Sequence, residues 1–413
     1  MRPFVLAVLF FIGFSFRMWY VNLSPQPLLF DQGEYLQTAR HMQLLPYYTN
    51  SIRPYGYPLL LSWLFDATGT ENPLIWKSIQ CAMDSMTAIL VILIGFRVFR
   101  KNIPAFVAGV LYLVNPFTSA YAGILLTEVL TVFLITLSIY LLVINYYGKK
   151  LVIYLIISFI LGFIPQVRSV FLFWSLVNLS WIMFRIFRTN DTVRKKILQP
   201  IAIFFVFLLP FFYSMAGNYI WYRTLTPFTP DNQFVLNLYI SLYIKRVTPD
   251  MLRFPEEVDQ ANGAFTRISN SEERRVIENK YSNLTRDYIT HNPVPFLESR
   301  LEKMEYVWEK NTWFPLTGYR DSSHILIIRW INRILLGSSF VGFVLFLRRQ
   351  KKSASRLDRF FVIQSVILII LLTLYHTVTT AEERYSLPGY PILFLFTGWT
   401  VYEIYCRIRG KLC

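Results

Sequence analysis

Apolar residues in this chain come in long runs, and the charged ones fall between them. A helix that crosses a bilayer needs roughly 20 mostly apolar residues. The pattern predicts ten such runs: 3–21, 76–96, 103–120, 122–145, 151–165, 169–188, 197–216, 324–347, 360–378 and 386–406. The fifth is short and stops at Pro165. The stretch Tyr57–Phe65 is apolar but too short to cross, and reads as part of a helix on the membrane surface. The first run follows Arg2 and meets no small-x-small cleavage motif before Arg17-Met18-Trp19-Tyr20. It is therefore expected to remain as a first span and signal anchor. The predicted fold is an all-α polytopic membrane protein of about ten transmembrane helices. It divides into an N-terminal membrane module over 1–216, a helical extracytoplasmic segment over 217–323 and a C-terminal membrane module over 324–413.

Composition supports this reading. Hydrophobic residues make up 54% of the 413 and charged ones 16%, against about 25% charged in an average soluble domain. Disorder is excluded by the same figures. The formal net charge is +16, which in a soluble chain suggests nucleic acid. Loop by loop it means something else. With the N-terminus cytoplasmic, the inner loops are Arg97–Lys101, Gly148–Lys150, Arg185–Lys196, Arg348–Arg359 and the tail from Arg407. With Arg2 they hold 20 Lys and Arg but only Asp191, Asp358 and Glu403 as acids, leaving 21 basic and 22 acidic residues outside. Positive charge on the cytoplasmic side is the expected determinant of orientation. The excess thus predicts topology, with both termini cytoplasmic, and gives no reason to expect a nucleic-acid partner.

Two larger parts then lie outside: the first outer loop, 22–75, and the segment 217–323. Charge near a bilayer is costly, so charged residues at the outer ends of spans are candidates for function. Asp31 and Glu34 follow the first span. Arg53 opens the stiff turn Arg53-Pro54-Tyr55-Gly56-Tyr57-Pro58. Glu128 is expected about a turn and a half inside the fourth span. Arg168 opens the sixth, His376 ends the ninth, and Glu382, Glu383 and Arg384 open the tenth. Asp31 and Glu34 have capping-box spacing. A carboxylate at the edge of a low-dielectric cavity should also have a raised proton affinity, which suits a general base. For Glu128 the plain alternative is a buried ion pair with Arg168 or Arg384. Asp84, deeper in the second span, reads as a packing or pairing residue. Arginine's planar fork suits phosphate oxygens. No P-loop, dinucleotide fingerprint or metal-ligand spacing is present.

These motifs, in this order, resemble the GT-C superfamily of membrane glycosyltransferases. The likeness is to the bacterial branch of the protein O-mannosyltransferase and lipid A aminoarabinose transferase family. It is carried by Asp31, Glu34, Tyr35, Ala39 and Arg40 after the first span, and by Arg53-Pro54-Tyr55-Gly56-Tyr57-Pro58. Further along come Asn115-Pro116 with Leu126-Thr127-Glu128, Gln166-Val167-Arg168-Ser169, and Arg384-Tyr385-x-Leu387-Pro388 with Pro391. The resemblance covers most of the chain and is weakest over 217–323. It implies an inverting transferase in the bacterial inner membrane. Its donor would be a polyprenyl-phosphate sugar, and its acceptor a hydroxyl of a glycan, lipid or protein on the extracytoplasmic face. By the same resemblance Asp31 is the base, aided by Glu34. Arg53, Tyr55, Tyr57, Glu128, Arg168, Arg384 and Tyr385 are candidates for binding substrate. Asp31, Glu34 and Glu128 leave room for a weakly held divalent cation without demanding one. The competing readings are a lipid-sugar flippase or other transporter, which usually shows repeats and broken helices at the midplane, and an O-antigen-type polymerase.

Overall fold

In the computed structural model the greater part of each of the ten apolar runs is helical. The structure describes residues 3–28, 31–148, 150–188, 192–230, 233–244, 254–266, 271–311, 314, 322–353 and 355–410. The first span is α1 (Pro3–Leu23). The first outer loop carries α2 (Asp31–Leu44) and α3 (Gly56–Thr68), and α4 (Pro73–Phe99) returns into the bundle. Gly69 ends α3 with a left-handed φ of 65°, a conformation glycine adopts without steric cost. Asn72 starts α4 by accepting from the Leu74 N–H, with Pro73 at the first helical position.

The third and fourth runs are broken where the hydrophobic pattern is continuous. The third divides into α5 (Asn102–Leu113) and α6 (Pro116–Tyr121). Pro116 cannot continue α5, and the Asn115 side chain caps the new helix at the Phe117 N–H. The fourth run begins without helix: residues 122–127 form a turn, and α7 (Glu128–Gly148) starts at the glutamate. Glu128 is thus a first-turn acid at a helix N-terminus rather than a residue inside a span, a position the helix dipole favours. The next helix, α8 (Leu151–Val167), continues through Pro165. A 3-10 turn at Ser169–Phe171 leads into α9 (Leu172–Phe187), and α10 (Val193–Tyr222) extends beyond the run that predicted it.

The segment after α10 contains α11 (Gln233–Tyr243), α12 (Glu256–Thr266), α13 (Ser271–His291) and α14 (Pro293–Trp308). The first three share a small core of their own that includes Tyr239, Ile240, Val258, Phe265 and Tyr281. The chain then returns through α15 (Ser322–Ser353) and α16 (Arg356–Val378). After a 3-10 segment, Glu383–Gly389, it ends in α17 (Tyr390–Ile408).

Among the described residues seven helical stretches are long and apolar enough to cross a membrane: α1, α4, α7, Ser169–Phe187, α10, most of α15 and α16; α5 and α8 are shorter apolar helices. The most buried of the seven are α4 and α7, which pack on each other; α4 also packs on α5, and α17 packs between α5 and α15. Contacts are close because small residues sit at the crossings. A side chain at Gly398 would meet the Pro104 carbonyl, and one at Gly342 the Phe396 carbonyl. One buried ion pair ties the first span to this core. Arg17 donates to Asp84 at 2.5 Å, and Tyr112 donates to the other carboxylate oxygen at 2.6 Å. The remaining guanidinium N–H groups reach the Tyr112 and Leu113 carbonyls, so every partner is satisfied and the cluster is structural.

Candidate active site

The ends of α1, α8 and α16 and the starts of α2, α7 and α17 share one end of the bundle. Local sequence chemistry sets each charged group there. Asn50 accepts from the backbone N–H groups of Ile52 (2.8 Å) and Arg53 (3.0 Å), an Asx turn that fixes the Arg53 backbone. Its amide also donates to Thr38 on α2 at 3.1 Å. The next residues press against the end of α8, where a Cβ at Gly56 would lie 2.6 Å from the Gln166 carbonyl oxygen. So oriented, Arg53 donates to Asp31 at 2.7 Å and to Glu34 at 2.6 Å. The two acids occupy successive positions on one face of α2, and both converge on this guanidinium.

The break before Glu128 is held by two glutamines. The Gln80 amide donates to the carbonyls of Ala122 (3.1 Å) and Ile124 (2.9 Å), and the Gln32 carbonyl accepts from the Leu125 N–H at 3.0 Å. Polar backbone that leaves a helix inside a bundle must find such partners. Glu128 then meets Arg168 at 3.2 Å and Arg384 at 3.5 Å, through Oε1 in both cases. Its second oxygen is buried and accepts no hydrogen bond.

Arg384 closes the circuit. It lies 3.4 Å from Asp31 and pairs with Glu382 at 2.6 Å. Tyr385 donates to the same Glu382 at 2.7 Å. The Tyr385 ring stacks on His376 at 4.2 Å between centroids and carries the Arg168 guanidinium 4.8 Å from its centre, a cation–π contact. Four carboxylates and three arginines therefore form one network. It is graded in depth: the Glu34 side chain is 47% exposed, Asp31 24% and Glu128 3%.

The ionisation of Asp31 differs from the sequence expectation. Burial pushes its carboxyl upward, as expected, but Arg53, Arg384 and Arg168 more than offset this, and its pKa lies below the ordinary value of 3.8. These arginines are distant from Asp31 in sequence and are brought close only by the fold. Asp31 is thus an ionised carboxylate ready to accept a proton, and not an acid poised near neutrality.

Seven of the nine candidate residues enter the network: Asp31, Glu34, Arg53, Glu128, Arg168, Arg384 and Tyr385. Two do not. The Tyr55 hydroxyl donates to the Pro210 carbonyl at 2.7 Å and its ring stacks on Tyr213. The Tyr57 hydroxyl donates to Gln80 at 3.0 Å and its ring meets Tyr35 edge-on. Both tie α3 to the bundle. Glu382 enters the network although its sequence shows only two adjacent acids. The fold parts them, for Glu383 turns away and accepts from the Asn311 N–H at 2.9 Å. Gln32 and Gln80 carry no motif that would single them out, because their roles depend on neighbours distant in sequence.

The divalent cation is answered by the donor set. Among the described residues no three His, Cys, Asp or Glu side chains converge as metal ligands. Asp31 and Glu128 are instead turned toward arginines. Among the described residues no metal site is formed in this arrangement.

No protein-family model and no curated protein sequence matches the chain. Solved structures do. The chain is similar to the oligosaccharyltransferase of the archaeon Archaeoglobus fulgidus tethered to an acceptor peptide containing the NVT sequon. The TM-score is 0.59 and the identity 12%, over 99% of this chain and 50% of that one. The same archaeal enzyme, AglB, in complex with an inhibitory peptide and a dolichol-phosphate gives a TM-score of 0.56 at 12% identity, over 98% and 51%. Its complex with Zn and sulfate gives 0.54 at 13%, over 98% and 50%. The chain spans about half the length of these neighbours. At such identity the likeness speaks for the fold alone: over nearly its whole length this chain shares a fold with about half of the archaeal oligosaccharyltransferase.

Proposed function

We propose that the protein transfers a sugar from a polyprenyl-phosphate donor to an acceptor hydroxyl, with inversion at the anomeric carbon. The observation that carries this reading is the meeting of Asp31 with Arg384 at 3.4 Å, which puts a proton acceptor beside an arginine of the kind that holds phosphate. Asp31 takes the proton of the acceptor hydroxyl as its oxygen forms the bond to the anomeric carbon. The bond from that carbon to the phosphate oxygen breaks, and its electron pair leaves with the phosphate. Attack from the face opposite the leaving group inverts the centre. Arg384 and Arg168 neutralise the charge that develops on the phosphate, which this leaving group needs more than it needs an acid. Glu34, nearer the rim, positions the acceptor.

Two arguments support the lipid-phosphate donor. The arginines are held by buried carboxylates at the end of a bundle of apolar helices, where a headgroup would meet them. The archaeal neighbour of the same fold was solved with a dolichol-phosphate. The Lys- and Arg-rich loops fall at the opposite end, which supports an extracytoplasmic site in the bacterial inner membrane. The acceptor class is a hydroxyl of a glycan, lipid or protein.

The test uses the purified chain in vesicles loaded with a radiolabelled polyprenyl-phosphate sugar and cell-envelope acceptor. Transfer predicts free polyprenyl phosphate in step with label in a new glycosidic product. Movement of intact labelled lipid between leaflets with no such product would make the protein a transporter instead.

A further inference from the structure

The outer segment contains one helix patterned inside out. On α14 the buried face ends in Tyr306 and Val307 but is polar before them: Ser299, Arg300 and Lys303 are 7%, 6% and 0% exposed. Arg300 donates to the carbonyls of Ser241 (2.8 Å) and Val378 (2.7 Å), and Lys303 to those of Ser241 (2.7 Å) and Thr379 (3.1 Å). They satisfy backbone oxygens at the ends of α11 and α16 that have no partner within their helices. The outward face carries Val294, Leu297, Leu301 and Met304, exposed by 62%, 61%, 63% and 40%. At helical spacing these four make one stripe, and Glu298, Glu302 and Glu305 make a second stripe alongside it.

A water-soluble helix has the reverse arrangement. An apolar stripe beside a charged one is what a helix lying in a bilayer interface presents, with acyl chains on one side and water on the other. The neighbouring surface says what covers it. On α16, a membrane-crossing helix, Ile363, Ile370 and Leu374 are exposed by 54%, 49% and 59%. This lipid-facing stripe climbs to Val378, the residue whose carbonyl Arg300 holds. Helix α14 packs against the outer end of α16, where Trp308 donates to Thr373 at 2.9 Å and Arg300 to the Val378 carbonyl, so its stripe lies beside a surface that faces lipid.

We propose that α14 lies in the membrane interface at the site end of the bundle, with Val294, Leu297, Leu301 and Met304 seated among the acyl chains of bilayer phospholipid. The same helix grips the segment that carries the site arginine. Arg300 and Lys303 hold the carbonyls of residues 377–379, and Ser386 donates to the Val307 carbonyl at 2.6 Å. Glu382 and Arg384 lie between these anchor points. Seating α14 at the interface thus sets the depth at which the charge network meets the membrane. The lipid contact does not depend on the proposed transfer, and it is read without measuring activity.

The test places the photo-crosslinker p-benzoylphenylalanine at Leu297 or at Leu301 in the full chain, reconstituted into phosphatidylcholine–phosphatidylethanolamine vesicles. Probes at Val366 of α16 and at Asn283 of α13 serve as lipid-facing and water-facing references. After irradiation, mass spectrometry of the intact protein reads the adducts. The expected result is phospholipid adducts at 297 and 301 in yields within about twofold of those at 366, and none at 283. No lipid adduct at 297 or 301 while 366 reacts would overturn the proposal. So would cross-linking of those positions to a second copy of the chain, or adducts at 283 in equal yield.

Discussion

Arg384 and Asp31 lie 353 residues apart in sequence, yet the guanidinium of one is 3.4 Å from the carboxylate of the other. The first outer loop and the start of the last helix are thus halves of one site. Arg384 also touches Glu128 and Glu382. On the proposed reading, replacing it with alanine removes a phosphate ligand, and it leaves Glu128 buried with Arg168 as its one cationic partner. Arg384→Ala is expected to slow transfer about 100–1,000-fold. Arg384→Lys should recover only a small part of this, because an ammonium cannot reproduce the planar fork. Initial rates with labelled donor measure both.

The pH profile follows from the direction of the Asp31 shift. Its folded pKa is depressed below 3.8 by arginines that outweigh burial. The stabilisation from those contacts is therefore complete above the unfolded value and is lost only as pH falls through the lower, folded one. Asp31 should impose no acidic limb on the transfer rate between about pH 5 and 7. Arg53→Ala removes the largest of the attractive contributions, leaves burial unopposed by it, and should move an acidic limb up toward that range. Rate–pH profiles of the two proteins decide it; a profile that Arg53→Ala leaves unmoved contradicts the assignment.

Gly56→Ala tests the turn that aims Arg53. Its Cβ would sit 2.6 Å from the Gln166 oxygen, and backbone cannot yield as a flexible side chain does. The expected cost is roughly 1–3 kcal/mol, visible as a lower unfolding temperature in detergent. Transfer should fall as well, since Gln166 lies two residues from Arg168. A variant with wild-type stability and rate would show that this contact is unimportant.

The Arg17–Asp84 pair should behave differently. It is fully buried and fully satisfied, and it lies away from the network. Asp84→Ala is expected to destabilise the protein by about 3–5 kcal/mol, because it strands the arginine. Arg17→Met combined with Asp84→Leu should restore most of that stability. In both variants the folded fraction should transfer sugar at the wild-type rate per molecule. Thermal unfolding and rate normalised to folded protein separate the two roles.

The residues just discussed also show how much the amino-acid order reveals. The ten apolar runs and the one-sided placement of Asp31, Arg53, Arg168 and Arg384 were readable, because hydrophobic length and charge position are local properties. The start of α7 at Glu128 was not, because the turn over 122–127 is apolar and is held by Gln32 and Gln80 from other helices. Tyr55 and Tyr57 stand in the same motif as Arg53, yet their hydroxyls go to Pro210 and Gln80. Motif membership does not give side-chain direction. The ionisation of Asp31 depends on three arginines that meet only in the fold, so a correct argument about burial gave the wrong sign.

The central claim is that Asp31 accepts the proton of the attacking hydroxyl. Asp31→Asn keeps the shape of the side chain and removes that capacity. The measurement is the rate of labelled product formation by purified wild-type and Asp31→Asn protein in vesicles, with donor binding and unfolding temperature recorded alongside. The account predicts a loss of about 100-fold or more in transfer, with the variant still folded and still binding the lipid-phosphate donor. Transfer by Asp31→Asn at the wild-type rate would contradict it.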